Sequence, residues 1–316
     1  MMSNGKVLVL GATGGIGGEV ARHLADTGWQ VSALARRQVV GEHPAVHWLL
    51  GDAMDASAVA KAAKGCEVIV HAVNPPGYKN WAGLALPMLE HTLAAAKAQK
   101  ATVLLPGTLY NYGPDSFPLI DEAAPQQPLT RKGAIRVAME QRLRAFADED
   151  GQAIVVRAGD FFGPRAGNNW FAQWVRPGKA VTRVVNPGSC GHQWAYLPDL
   201  AKAMVEVLVK RQQLPAFSNL HFEGHWDSDG KQMANAIADV ARRHSGKTPR
   251  MVGFPWTWVP ALGLFNETLR ELNEMRYLWQ QPVRLDNSRL RALLGAEPHT
   301  PLHQAVEESL RGLGCL

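Results

Sequence analysis

From its start the chain alternates two textures. Short aliphatic runs such as KVLVL are followed by longer stretches whose apolar residues return every three or four positions. Unbroken aliphatic runs suit strands covered on both faces, and the wider spacing suits helices with one buried side. The runs predict strands at Lys6–Leu10, Gln30–Leu34, Val46–Leu50, Glu67–Ala72, Thr102–Leu105 and Ala153–Arg157. Between them, Ile16–Ala25, Ala56–Ala63, Leu84–Lys97 and Arg131–Phe146 read as helices. Repeated βα units of this kind predict an α/β fold built on a doubly wound parallel sheet.

Beyond Gly163-Pro164 the alternation weakens and Pro and Trp become frequent. We expect a dinucleotide-binding domain over residues 1–165 and a smaller, mostly helical substrate lobe over 166–316, with helices such as Gly230–Arg243 and Glu267–Leu278. Gln193–Leu208 and Asn219–Phe222 look like later additions to the first domain, near residues 190–222. Seven of the ten Trp lie between Trp170 and Trp279. They suit an aromatic substrate pocket, but a large apolar ring more often packs a core.

Composition narrows the setting. With 316 residues, 46% of them hydrophobic, the chain can bury a sizeable core. No apolar run approaches the ~18 residues of a membrane span, and none precedes the first strand, so a soluble, cytoplasmic protein is expected. The three cysteines show no metal-binding or disulfide spacing and read as reduced thiols, with no metal site expected. The net charge of +5 comes from Lys and Arg spread along the chain. That favours an anionic small molecule over nucleic acid. A homodimer is left open.

Candidate chemistry begins at KVLVLGATGGIGGEVARHL, where a strand leads through Gly11, Thr13, Gly14, Gly15, Ile16 and Gly17 into an amphipathic helix. Glycines at this spacing let the backbone approach a pyrophosphate, and the helix N-terminus offers free N–H groups. After the second strand, where NAD-preferring sites place an acid on the ribose, the chain reads ALARRQ. Arg36 and Arg37 match a 2′-phosphate in charge and fork geometry, so NADP(H) is favoured over NAD. Ordinary surface arginines are the plainer alternative.

With GATGGIG, GDAMD, VIVHAVNPP, LLPGTLYNYGP, VVRAGDFFGP and HQWAYLPDLAKAM in place, the chain resembles the short-chain dehydrogenase/reductase superfamily over nearly its whole length. The similarity is to its extended or atypical branch of NAD(P)-dependent epimerase/dehydratase-like proteins. The resemblance implies that Asp52 and Ala53 lie beside the adenine and that Ala72, Val73 and Asn74 lie beside the cofactor's ribose or pyrophosphate. Asp52 equally reads as a turn or helix cap. Thr108 falls where the family has a catalytic Ser, ahead of the Tyr112-Gly113 pair.

The departure is at TRKGAIRVAME. Where the family presents Tyr-x-x-x-Lys, this chain has Lys132 in the Tyr position and Arg136 in the Lys position. Three readings stand. Lys132 moves the proton itself, since a lysine taken out of water is a workable acid/base; the isoflavone-reductase-like NADPH reductases, which this helix resembles, use a lysine here. Arg136 then binds the ribose or substrate, because a guanidinium cannot exchange a proton. Alternatively the tyrosine function has moved to Tyr110, or to Tyr112, which matches a structural position of the family. In the third reading catalysis is lost and the protein senses NADP(H), as NmrA-like regulators do. The leading expectation is an NADP(H)-dependent oxidoreductase acting on a small carbonyl or hydroxyl substrate, with a nucleotide-sugar epimerase or dehydratase as a further enzyme reading.

Helix geometry refines this. With Ile135 at the centre of the apolar face, Lys132 lies about 60° away and Glu140 about 140° away, which predicts a Lys132 flanking the core and a solvated Glu140. Elsewhere, His71 and His192 have no spaced partners and read as histidines satisfied within the protein. Asp160 follows a strand's carboxyl end, where such folds gather ligands. Asp199 reads as a first-turn charge favoured by the helix dipole.

Overall fold

Aliphatic side chains leave each central strand on both sides, and both sides are covered. In β1 (Lys6–Leu10), Val7 and Val9 enter one core while Leu8 and Leu10 enter the other. That double burial is why the run shows no polar alternation. The structure, a computed structural model, describes residues 4–39, 43–75, 80–167, 169–254, 256, 257, 259 and 273–316.

Six further strands join β1 in one parallel sheet: β2 (Gln30–Ala35), β3 (Val46–Leu50), β4 (Val68–His71), β5 (Thr102–Gly107), β7 (Gln152–Arg157) and β11 (Phe217–His221). Their order is β3-β2-β1-β4-β5-β7-β11. The chain runs outward from β1 to β3, then returns to β4 on the other side of β1. In doubly wound sheets a ligand crevice lies at the carboxyl ends of the strands where the order reverses, which here are β1 and β4. α1 (Gly15–Asp26) and α6 (Leu197–Val209) cover one face of the sheet. α2 (Ala56–Ala62), α3 (Trp81–Gln99) and α4 (Arg131–Asp148) cover the other. The doubly wound parallel sheet is thus present as the sequence predicts, with strand and helix limits shifted by a few residues.

The stretch Gln193–Leu208 divides into a strand, β10 (His192–Tyr196), and α6, which packs against α1. The stretch at Asn219–Phe222 supplies β11, the edge strand beside β7. The rest of the C-terminal half builds small sheets as well as helices. β10 lies between β8 (Asp160–Phe162) and β12 (His225–Asp227), β9 (Arg183–Asn186) pairs with β13 (Arg250–Gly253), and β6 (Leu119–Ile120) pairs with β14 (Arg284–Leu285). α5 (Trp170–Trp174), α7 (Gln232–Ser245) and α9 (Leu302–Gly312) pack on them, and α8 (Ser288–Leu294) lies against β11 and α6.

Trp170, Trp174, Trp194 and Trp279 are buried together with Phe162 and Phe171, so these indoles form a core. Of the helix expected at Glu267–Leu278, residues 267–272 lie outside the described residues, as does Trp258; Met275–Trp279 forms a 3-10 turn. Among the described residues no helix is long and apolar enough to cross a membrane.

Candidate active site

The glycine-rich turn leaves the carboxyl end of β1 and passes under β4. Gly11 has φ of +91°, and a Cβ there would stand 2.5 Å from the Ala72 carbonyl oxygen, so only glycine lets the two strand ends approach. A Cβ on Gly17 would stand 2.3 Å from the Gly11 oxygen. Gly14 is the N-cap of α1 and offers no side chain to its first N–H groups, and the first turn holds no acid. Thr13 and Gly14 are exposed, Gly15 packs beside Ala166, and the Ile16 side chain enters the core. An uncapped, acid-free helix start behind a glycine cradle fits a pyrophosphate. These residues fit the dinucleotide that the sequence pattern implies.

The ends of the neighbouring strands lie beside this turn. Arg36 and Arg37 follow β2 and are exposed. Asp52 follows β3, where its Oδ1 accepts a 3.0 Å hydrogen bond from the Met54 N–H and its carbonyl accepts one from Asp55. The local turn therefore occupies one of its carboxylate oxygens, and Asp55 takes over as the cap of α2. The Ala53 carbonyl accepts from His91 Nδ1 at 3.0 Å. Ala72, Val73 and Asn74 leave the end of β4, and Asn74 Oδ1 accepts from Arg136 Nη2 at 2.8 Å.

On the other side lie β5 and α4. After β5 the chain forms a 3-10 turn, Leu109–Asn111, with Thr108 as its first flank and a half-buried Tyr110 at its middle. Thr130 caps α4, its Oγ1 accepting from the Gly133 N–H at 3.0 Å. A Cβ on Gly133 would come within 2.1 Å of the Tyr110 carbonyl oxygen, so the first turn of the helix rests directly on the Tyr110 turn. Lys132 and Arg136 are each only 5% exposed. The Arg136 guanidinium lies 5.3 Å from the Trp81 ring centroid.

Glu140 is not solvated, contrary to the helical-wheel expectation. It is 2% exposed and pairs with Arg157, which is 0% exposed. Arg157 Nη2 donates to both Glu140 oxygens at 2.8 Å, Asn111 Nδ2 donates to Oε1 at 2.9 Å, and Gln126 Nε2 donates to Oε2 at 2.6 Å. The wheel took the apolar stripe through Ile135 as the whole buried face. α4 is covered on a second side as well, by the Thr108–Asn111 turn, the loop holding Gln126 and the end of β7. Glu140 lines that second buried side, while Arg136 on the same helix reaches Asn74 and the Trp81 ring.

Sequence reasoning missed Arg157 and its Asn111 and Gln126 partners. The one available signal was a cation at the end of the aliphatic run AIVVR, immediately before a turn. Tyr112 is fully buried, burial pushes its phenol up, and the Arg157 guanidinium sits 5.0 Å from its ring centroid. That is a packing role, whereas Tyr110 is half-buried on the turn against which Gly133 rests.

The remaining polar candidates have protein partners, but the two histidines are only half satisfied: His71 Nε2 and His192 Nδ1 are buried with no hydrogen-bond partner among the described residues. His71 Nδ1 lies 2.8 Å from Thr92 Oγ1, and burial, followed by the charge of Arg136, pulls its imidazole down to about 3. His192 Nε2 lies 2.8 Å from Asp160 Oδ2, and its ring stacks on Trp279 with centroids 3.7 Å apart. Asp199 stands in the first turn of α6 and accepts from both the N–H and the hydroxyl of Thr300.

Comparison with known proteins places this geometry. A 3-diazoavenalumate denitrifying reductase of Streptomyces is 30% identical over 195 residues, covering 57% of this chain and 62% of that protein. A ceramide reductase of Caulobacter vibrioides is 30% identical over 168 residues, covering 51% of this chain and 48% of that protein. The chain thus spans about half to three-fifths of these relatives. The UDP-glucuronic acid 4-epimerase of Bacillus cereus, solved with UDP-glucuronic acid and NAD, superimposes with a TM-score of 0.75 at 15% identity over 98% of both chains. The Bordetella bronchiseptica enzyme WbmH, solved with NAD+, gives 0.74 at 19% identity over 98% of this chain and 99% of that one. The glycine cradle and the loops after β2, β3, β4 and β5 lie within residues 7–219, which match the model of the NAD dependent epimerase/dehydratase family, and the chain belongs to that family.

Proposed function

We propose that the protein is an NADP(H)-dependent oxidoreductase that reduces a small carbonyl compound, or oxidises the corresponding alcohol, with Lys132 as its acid/base. The observation that carries this reading is the buried Lys132, held at the start of α4 where Gly133 rests on the Tyr110 turn. Family membership supports a nicotinamide cofactor, and two of the relatives are named as reductases. When bound, the cofactor supplies or accepts hydride at the substrate carbon.

The protein's own residues do the rest. The Gly11–Gly17 turn receives the pyrophosphate, and Arg36 and Arg37 meet the 2′-phosphate of NADP(H). Lys132 gives a proton to the carbonyl oxygen during reduction and takes it back in the reverse direction. The Thr108 hydroxyl, where the family has a Ser, shares a hydrogen bond with that oxygen. Arg136 cannot exchange a proton, so through Asn74 it fixes the loop after β4 on the ribose side.

A panel of aldehydes and ketones of graded size, assayed with NADPH, tests the reading. Lys132→Ala should lower turnover by about 100-fold or more while cofactor affinity stays within a few-fold. Turnover that survives Lys132→Ala but is lost in Tyr110→Phe would move the proton to Tyr110. Tight NADPH binding with no turnover across the panel would favour a cofactor sensor.

A further inference from the structure

The Arg157–Glu140 pair stands on the β5 and α4 side of the candidate site and ties the Thr108–Asn111 turn to the helix. Arg157 ends β7, the strand between β5 and β11. Its Nη1 donates to the Thr108 carbonyl oxygen at 2.6 Å, and its Nη2 lies 3.3 Å from Asn219 Oδ1 on β11. Glu140 in turn accepts from Asn111, and Asn111 Nδ2 also donates to Gln126 Oε1 at 3.1 Å. The two ends of the turn that carries Tyr110 are therefore both tied to one ion pair. Its acidic member sits on the same helix as Lys132, eight residues along, or about 12 Å at ~1.5 Å per residue.

Burying two charges is seldom the cheapest way to hold a fold together, since apolar residues of similar volume often serve as well. The ion pair provides something an apolar pair does not, namely direction. A planar guanidinium whose Nη2 is held by both Glu140 oxygens keeps its other terminal nitrogen, Nη1, aimed at the Thr108 carbonyl. Fixing that carbonyl sets the peptide plane after Thr108, and the Thr108 hydroxyl itself donates to Asn111 Oδ1 at 3.4 Å, a side chain that Glu140 also holds.

We propose that Arg157 and Glu140 are positioning residues for the nicotinamide side of the site, setting the spacing between the Thr108–Asn111 turn and the helix that carries Lys132. The proposal rests on the reading of that turn and helix as the nicotinamide side.

The test uses the full chain with both charges removed together, Glu140→Gln with Arg157→Met, so that no unpaired ion is left buried. Three quantities are compared with the unaltered protein: amide exchange at Tyr112, whose N–H bonds to the Leu109 carbonyl at 3.1 Å; affinity for whole NADPH; and affinity for 2′,5′-ADP, its adenosine half. Positioning predicts exchange at Tyr112 faster by about tenfold or more with β1 amides unchanged, NADPH binding weaker by about tenfold or more, and 2′,5′-ADP binding within about threefold.

Equal losses for both ligands with faster exchange throughout would mark a merely structural pair and overturn the proposal, as would unchanged exchange at Tyr112. If the unaltered protein binds neither ligand, the cofactor reading fails and the exchange comparison alone decides the positioning role. Arg157→Lys is the second variant should the double variant not fold. It keeps the charge but lacks the fork, so it should retain most of the thermal stability and still lose the NADPH-over-fragment advantage.

Discussion

Arg36 and Arg37 are exposed side chains on an otherwise buried strand end, so their contribution can be measured with little cost to the fold. Replacing both by Ala should weaken NADPH binding by about ten- to a hundredfold, on the scale of charge-assisted hydrogen bonds, and leave NADH binding nearly unchanged. Titration calorimetry with the two cofactors reads this directly; equal affinities before and after would return both residues to the surface. At this scale the sequence is informative where a residue's job is local. Gly11 and Gly17 are legible because backbone approach admits no other residue. Lys132 and Arg136 are legible because they stand where the family has other residues. Arg157 is not, because its meaning depends on a carboxylate 17 positions earlier and on a strand that comes later.

α4 shows how one element gathers several functions. Its Thr130 cap satisfies the Gly133 N–H, and Thr130→Ala should cost about 1 kcal/mol, seen as a lower midpoint in urea with an unchanged slope. Gly133→Ala is a different experiment. The added methyl would meet the Tyr110 carbonyl, so the helix start and the turn must part, at a cost of about 1–3 kcal/mol. It should also lower turnover by more than the stability loss explains, measured as kcat at a temperature where the variant is fully folded. The long helices and central strands are readable from periodicity because each buries its own pattern. The short strands β6 and β14 are not, since Ile120 and Leu285 pair across a sequence gap that no local pattern encodes.

Across the whole molecule, acid should destabilise the fold through buried imidazoles. Burial, and then the nearby arginines Arg136 and Arg157, lower His71 and His221 to about 3. Unfolded, each titrates near its ordinary value of 6.5 and binds a proton that the folded form refuses. The unfolded state therefore holds more protons between about pH 6.5 and 3, and stability falls as pH falls through that window, by up to about 1.4 kcal/mol per pH unit for each histidine. His71→Asn should flatten the dependence of unfolding free energy on pH between 6 and 5 by about 1 kcal/mol per unit, whatever it does to stability at neutral pH.

The sheet also imposes an order on the chain's own synthesis. β7 ends at Arg157, yet its outer neighbour begins at Phe217. At ~5–20 residues per second, the roughly 60 intervening residues take about 3–12 s to be made. For that interval the nascent chain presents an unpaired edge flanked by Ala153, Ile154, Val155 and Val156, aliphatic on both sides and open to pairing with another chain. The risk of association during synthesis is therefore governed by where β11 stands in the sequence rather than by how stable the finished sheet is.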